Sequence, residues 1–271
     1  MGTSTRNKGQ SGHTPLVPSW LEGDGAAIGE ESQPTTVNEP IPPDGDANRF
    51  TGPRRAFTKY ISGSGRDGGS MRNAISQYVG HSLGGSSKAT TRLGSARNST
   101  AKLYNVLNTL SRSGGISEIS RQLSINNLEG LSASKFFTQI ASFICPDGGA
   151  NDEGIARSAY FDTIADNPEL FKKSTEELTA EECSSVLQNF MCKVVMEHVM
   201  NDIANKTITL PDDIDEVSRI EDLVEQLIKQ SVSDAFAEIK QNNVQITNNK
   251  AQEITDLIYQ KTYEILERQD D

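Results

Sequence analysis

From about residue 54 onward, apolar residues recur every three or four positions, and that spacing commits the chain to helices. Met71, Ile75, Tyr78 and Ser82 share one face, with Ala74 and Val79 beside them, until Gly84-Gly85 interrupts. Ala96, Leu103, Val106, Leu107 and Leu110 form a second stripe, closed by Gly114-Gly115. Shorter helices are expected around Ile116 to Leu123, over Ser134 to Cys145 ahead of Pro146, and over residues 152–166 ahead of Pro168. Thr179 with Glu182 three residues on reads as a capping box opening a long helix, whose face runs Cys183, Leu187, Met191, Val194 and His198. Leu210-Pro211-Asp212 then breaks and restarts the chain with acidic residues that suit a helix N-terminus. Val217, Ile220, Val224, Leu227, Ile228, Ala235 and Ile239 line the next helix; Ala251, Ile254, Ile258 and Ile265 line the last. Strand-like alternation occurs only at 207–210 and 244–246, too short for a sheet. The expected fold is all-α, a helical bundle behind a disordered Gly/Pro-rich N-terminal tail.

That tail follows from composition. Seven of the ten prolines and twelve of the 22 glycines fall in the first 70 residues, and residues 1–50 show no apolar periodicity. Such a segment buries too little apolar surface to offset its ordering entropy, so residues 1–53 read as disordered. Residues 14–21 stand apart within it. Prolines 15 and 18 favour an extended backbone that presents Leu16, Val17 and Trp20, either tucked against the folded body or offered to a partner.

Charge divides the remainder. Residues 51–125 hold eleven Arg and Lys against two acids, whereas residues 126–271 hold twelve against 28. The chain therefore reads as a basic helical region, 54–125, followed by an acidic helical bundle, 126–271, inside a protein of net charge -11. Arg54, Arg55, Lys59, Arg66, Arg72, Lys88, Arg92, Arg97, Lys102, Arg112 and Arg121 accompany Phe57, Tyr60, Tyr78 and Tyr104. Cations neutralise phosphates and rings stack on bases, so nucleic acid is one expected partner. The other is an acidic protein surface, this chain's own C-terminal half included.

Catalytic signatures are missing. Gly63-Ser64-Gly65-Arg66-Asp67-Gly68 spells G-x-G-x-x-G, but residues 57–62 supply one isolated strand at best, and no parallel sheet follows. An EF-hand counted from Asp147 would place Asp152 and Ser158 where Gly and Glu are required. His13, His81 and His198 are scattered. Cys183 and Cys192 lie nine residues apart, about 180° round a helix, so they and His198 read as core residues. No catalytic residue, metal site or cofactor is expected. Three cysteines without a CxxC suit a reducing cytosol, and no apolar run reaches the length of a membrane span or a secretory signal.

The N-terminus carries its own chemistry. A small second residue permits removal of Met1, leaving Gly2 as an unhindered α-amine with a pKa of about 7.7 to 8.0. Arg6 occupies the position where myristoylation requires Ser or Thr. Met1-Gly2-Thr3-Ser4, Pro15-Leu16-Val17-Pro18-Ser19-Trp20, Arg55-Ala56-Phe57-Thr58-Lys59-Tyr60 and the Gly84-Gly85 break with its Ser/Thr/Arg-rich continuation resemble the QatB family of the bacterial Qat anti-phage system. The likeness is best over residues 1–110, and the acidic helical half agrees in length and character. It implies a cytoplasmic defence component without enzymatic activity, encoded beside a QatA-like ATPase, a QatC-like enzyme of the QueC family and a QatD-like TatD nuclease. QueC-type enzymes activate a deazaguanine carboxylate with ATP and pass it to an amine. Gly2 is then the expected acceptor, with Thr3 and Ser4 as recognition residues and Leu16, Val17 and Trp20 as a second dock. The alternative is an adaptor that brings the nuclease to phage DNA through residues 54–121.

Overall fold

A computed structural model describes residues 48–62, 68–147, 151–202, 214–241 and 251–268, all within one compact unit. The tail through residue 47 lies outside the described residues, as do 63–67 of the glycine motif, 148–150, the Leu210-Pro211-Asp212 break, and both alternating segments.

Among the described residues the structure is helical throughout; the only bridge of strand type joins Ser132 to Ser174. Eleven α-helices run as α1 (Thr51–Ser62), α2 (Gly68–Gln77), α3 (Ser86–Arg92), α4 (Ser95–Leu110), α5 (Gly115–Leu123), α6 (Ala133–Ile144), α7 (Asn151–Ala165), α8 (Pro168–Lys172), α9 (Ala180–Asp202), α10 (Ile214–Gln241) and α11 (Ala251–Glu267). A π-helical turn, Tyr78–Ser82, prolongs α2. Residues 57–62, weighed above as a lone strand, are the second half of α1: Phe57 and Tyr60 sit three apart on its buried face.

Local chemistry sets the helix ends. Ser132 accepts a hydrogen bond from the Lys135 N–H at 3.5 Å at the head of α6, and Pro168 occupies the first position of α8. The capping box at α9 is present: the Glu182 N–H donates to Thr179 Oγ1 at 3.1 Å, and the Thr179 N–H donates to the Glu182 carboxylate at 3.0 Å.

Helices α4, α9, α10 and α11 pack in a ring, each antiparallel to its neighbours, as a four-helix bundle. Apolar stripes face inward: Leu103, Val106 and Leu107 from α4, Leu187, Met191 and Val194 from α9, Val224, Ile228 and Ala235 from α10, Ile254 and Ile258 from α11. Leu110, Val217, Leu227 and Ile265, assigned to the same stripes, are only half-buried at the bundle's margin. One end of the bundle is covered by α2, α3 and the π turn, which pack on α11, while α6 and α7 lie against α4. Phe136, Phe137 and Phe171 pack edge to face beneath α6, with ring centroids 5.2 and 5.3 Å apart.

Candidate partner-binding site

Gly2, Thr3, Ser4, Leu16, Val17 and Trp20 lie outside the described residues, as does Arg66. The remaining basic residues are dispersed over several helices. Arg54, Arg55 and Lys59 are exposed on α1, Arg72 on α2 and Lys88 on α3, whereas Arg92 and Arg97 are half-buried. Phe57, Tyr60 and Tyr78 are core residues and so unavailable for stacking on bases; Tyr104 alone is half-exposed.

Part of the basic region is turned onto the chain's own acidic half. Arg97 grips Asp256 of α11 with two nitrogens, Nε donating at 2.7 Å, and this pairing holds the guanidinium above its usual pKa. Arg72 lines a cavity of about 280 Å³ together with Asp234 and Glu238 of α10. Lys102 and Arg157 serve the C-terminus of α6, donating to the carbonyls of Phe143 at 3.0 Å and Cys145 at 2.8 Å. Each cation also lies over an exposed ring, Lys102 over Phe143 and Arg157 over Phe161.

At the covered end, titratable groups converge. The Tyr78 hydroxyl donates to Asp202 at 2.8 Å; burial, then the Asp202 charge, holds its pKa well above the usual phenol range. Burial likewise raises Tyr263, which senses Asp202 and, in the opposite sense, Arg92. His198 is shifted below its ordinary value by burial, against the pull of Asp152 and Asp202. Sequence reasoning made it a satisfied core histidine, but its Nε2 is buried without a hydrogen-bond partner. These phenols stay protonated at neutral pH, so Tyr78 acts here as a hydrogen-bond donor that joins the helix ends.

The cysteines are inert for the same reason. Burial pushes Cys145 up to about 11 and Cys192 to about 12, and raises Cys183. Cys183 lies near Ser111 at the C-cap of α4, whereas Cys192 lies near Lys229 and Glu225 of α10, so the two have different surroundings. Among the described residues no group of three His, Cys, Asp or Glu is placed to hold a metal ion, and no helix is long and apolar enough to cross a membrane.

A wide concavity lies at the other end of the bundle. The C-terminal halves of α4 and α10 and the N-terminal parts of α9 and α11 part around a groove of about 1030 Å³. Leu107, Leu187, Ile239, Ile254 and Ile258 form its floor; Tyr104 and Phe236 stand half-buried along it. Single-sequence reasoning missed it, because its lining comes from four helices spread between residues 104 and 258.

No curated protein and no solved structure matches the chain. A family profile described as "Qat anti-phage system associated protein QatB" matches residues 84–266. That range begins at the Gly84-Gly85 break and takes in α3 to α11, the acidic helical half included, while Met1 to Ser4, Pro15 to Trp20 and Arg55 to Tyr60 precede it. With two-thirds of its length matched, this chain belongs to the QatB family of proteins associated with the Qat anti-phage system.

Proposed function

We propose that the protein is a non-catalytic component of its anti-phage system, acting in the cytoplasm through contacts with the system's other proteins and through a modifiable leading arm. The family match over residues 84–266 carries this reading. Its partners are a QatC-like enzyme of the QueC family, a QatA-like ATPase and a QatD-like TatD nuclease. After Met1 is removed, the Gly2 amine attacks the carbonyl of a deazaguanine carboxylate that the QueC-like enzyme has activated as its adenylate. An amide forms, AMP leaves, and the amine gives up a proton. Thr3 and Ser4 enter the enzyme's groove behind Gly2, and Leu16, Val17 and Trp20 hold the arm in place. Intact-mass measurement of protein co-expressed with those neighbours tests it: the expected result is a mass increase at Gly2, lost in Gly2→Ala together with phage defence. An unmodified Gly2 terminus would sink the proposal.

The exposed Arg54, Arg55 and Lys59 on one helix favour a second reading, an adaptor that brings the nuclease to phage DNA. Binding would then weaken with salt at a log–log slope of several, each phosphate contact adding about 0.9. A slope near zero would exclude it.

A further inference from the structure

Short helices of the chain cover one end of the bundle, and the groove lies at the other, where the described lining differs in charge from the acidic half that supplies most of it. Residues 126–271 carry 28 acids against twelve bases, yet among the described residues no acid lines the groove, and the one charged residue lining it is Lys240. Among the described residues Lys240 has no ion-pair partner. The mouth is built from small or short side chains, Ser111, Ala180, Ser184, Ser233 and Ala237, all exposed, which leaves the apolar floor within reach. An apolar floor, two half-buried aromatic rings and a polar rim with one cation are the anatomy of a protein-contact surface.

We infer that this groove receives an apolar segment of another protein of the same defence system, one whose carboxylate meets Lys240 at the rim. This rests on the reading above that the protein works through partner contacts. Charge argues for that occupant. The acidic half as a whole carries an excess of sixteen acids, whereas along the described lining of the groove an approaching carboxylate meets the Lys240 ammonium over an uncharged floor. A second copy of this chain would bring its own net charge of -11 against the same surface.

Photocrosslinking identifies the occupant directly. The full chain carrying Ala237→p-benzoyl-phenylalanine is co-expressed with the system's other proteins, irradiated, and its crosslinked peptides read by mass spectrometry. Ala237 is exposed, so the substitution leaves the core untouched. The expected crosslink is to an apolar stretch containing Asp or Glu in one of those proteins. Its yield should fall about tenfold with Lys240→Glu and persist with Lys240→Arg. Crosslinks only to a second copy, only within the chain, or to nothing would overturn the inference, as would a yield indifferent to Lys240→Glu. If the proteins co-purify without a groove crosslink, the inference alone fails; if they do not assemble at all, the partner reading fails first. The mass of Gly2 in the same sample reports separately on the tail.

Discussion

His198 is a buried ring whose Nε2 has no partner, one turn before the Asp202 carboxylate that receives the Tyr78 hydroxyl. Folding disfavours its charged form, so its pKa in the folded protein lies below the value near 6.5 of the unfolded chain. Between those two values the unfolded chain binds the extra proton. The stability tied to neutral His198 is therefore present above pH 6.5 and lost as pH falls below it. Glu197, raised by burial and by Asp162, acts in the opposite sense, but it is common to both proteins in a comparison of wild type with His198→Phe. Denaturant unfolding at pH 7.5, 6.5 and 5.5 should show the wild type losing more stability across that range than His198→Phe. Equal losses would mean that His198 protonates as readily in the folded protein as in the unfolded chain.

At the scale of elements, the turn between α4 and α5 shows how two adjacent glycines do different work. Gly114 has a φ of +74° with open space where a Cβ would go, whereas a Cβ on Gly115 would fall 2.0 Å from the Thr109 carbonyl oxygen. Gly114→Ala pays only for the left-handed backbone, about 1–2 kcal/mol. Gly115→Ala must push backbone apart and should cost more, about 2–3 kcal/mol, visible as the larger drop in the urea midpoint. A ranking the other way round would refute this account. Sequence reasoning marked this pair as a helix break but could not separate their roles, because the second depends on where Thr109 lies in space. Helices with one clean stripe, such as α4 and α10, were legible for the same local reason that makes them fold. In α11 a second buried column went unread: Thr255, Tyr259, Thr262 and Tyr263 look polar in sequence. Thr255 and Thr262 are tolerated inside because their hydroxyls donate to the carbonyls of Ala251 and Ile258, at 3.0 and 2.8 Å. Conversely, Phe57 and Tyr60 looked like rings for nucleic acid because α1's buried face carries few other apolar residues to reveal it.

For the molecule as a whole, the boundary near residue 125 that charge draws is crossed by packing. Helix α4 comes from the basic region, yet it closes the ring between α9 and α11 and is tied to α11 by Arg97–Asp256 and by the 2.7 Å contact of the Thr100 and Tyr259 hydroxyls. The same non-locality hid the groove, since its walls come from four separate helices spread from residue 104 to residue 258. It also yields a strong test of the architecture. Residues 126–271 alone lose Leu103, Val106 and Leu107, buried side chains worth about 1.5–3 kcal/mol each, against a total stability of about 5–15 kcal/mol for a typical domain. Loss of α4 also removes Thr100, whose hydroxyl meets that of the buried Tyr259 of α11. The acidic half expressed by itself should therefore keep helical far-ultraviolet dichroism but bind an apolar dye and unfold without a sharp transition, while the full chain unfolds cooperatively. If residues 126–271 melted as sharply and at the same temperature as the whole protein, α4 would be an accessory to a bundle complete without it. The groove would then be an incidental gap between two domains rather than part of one bundle.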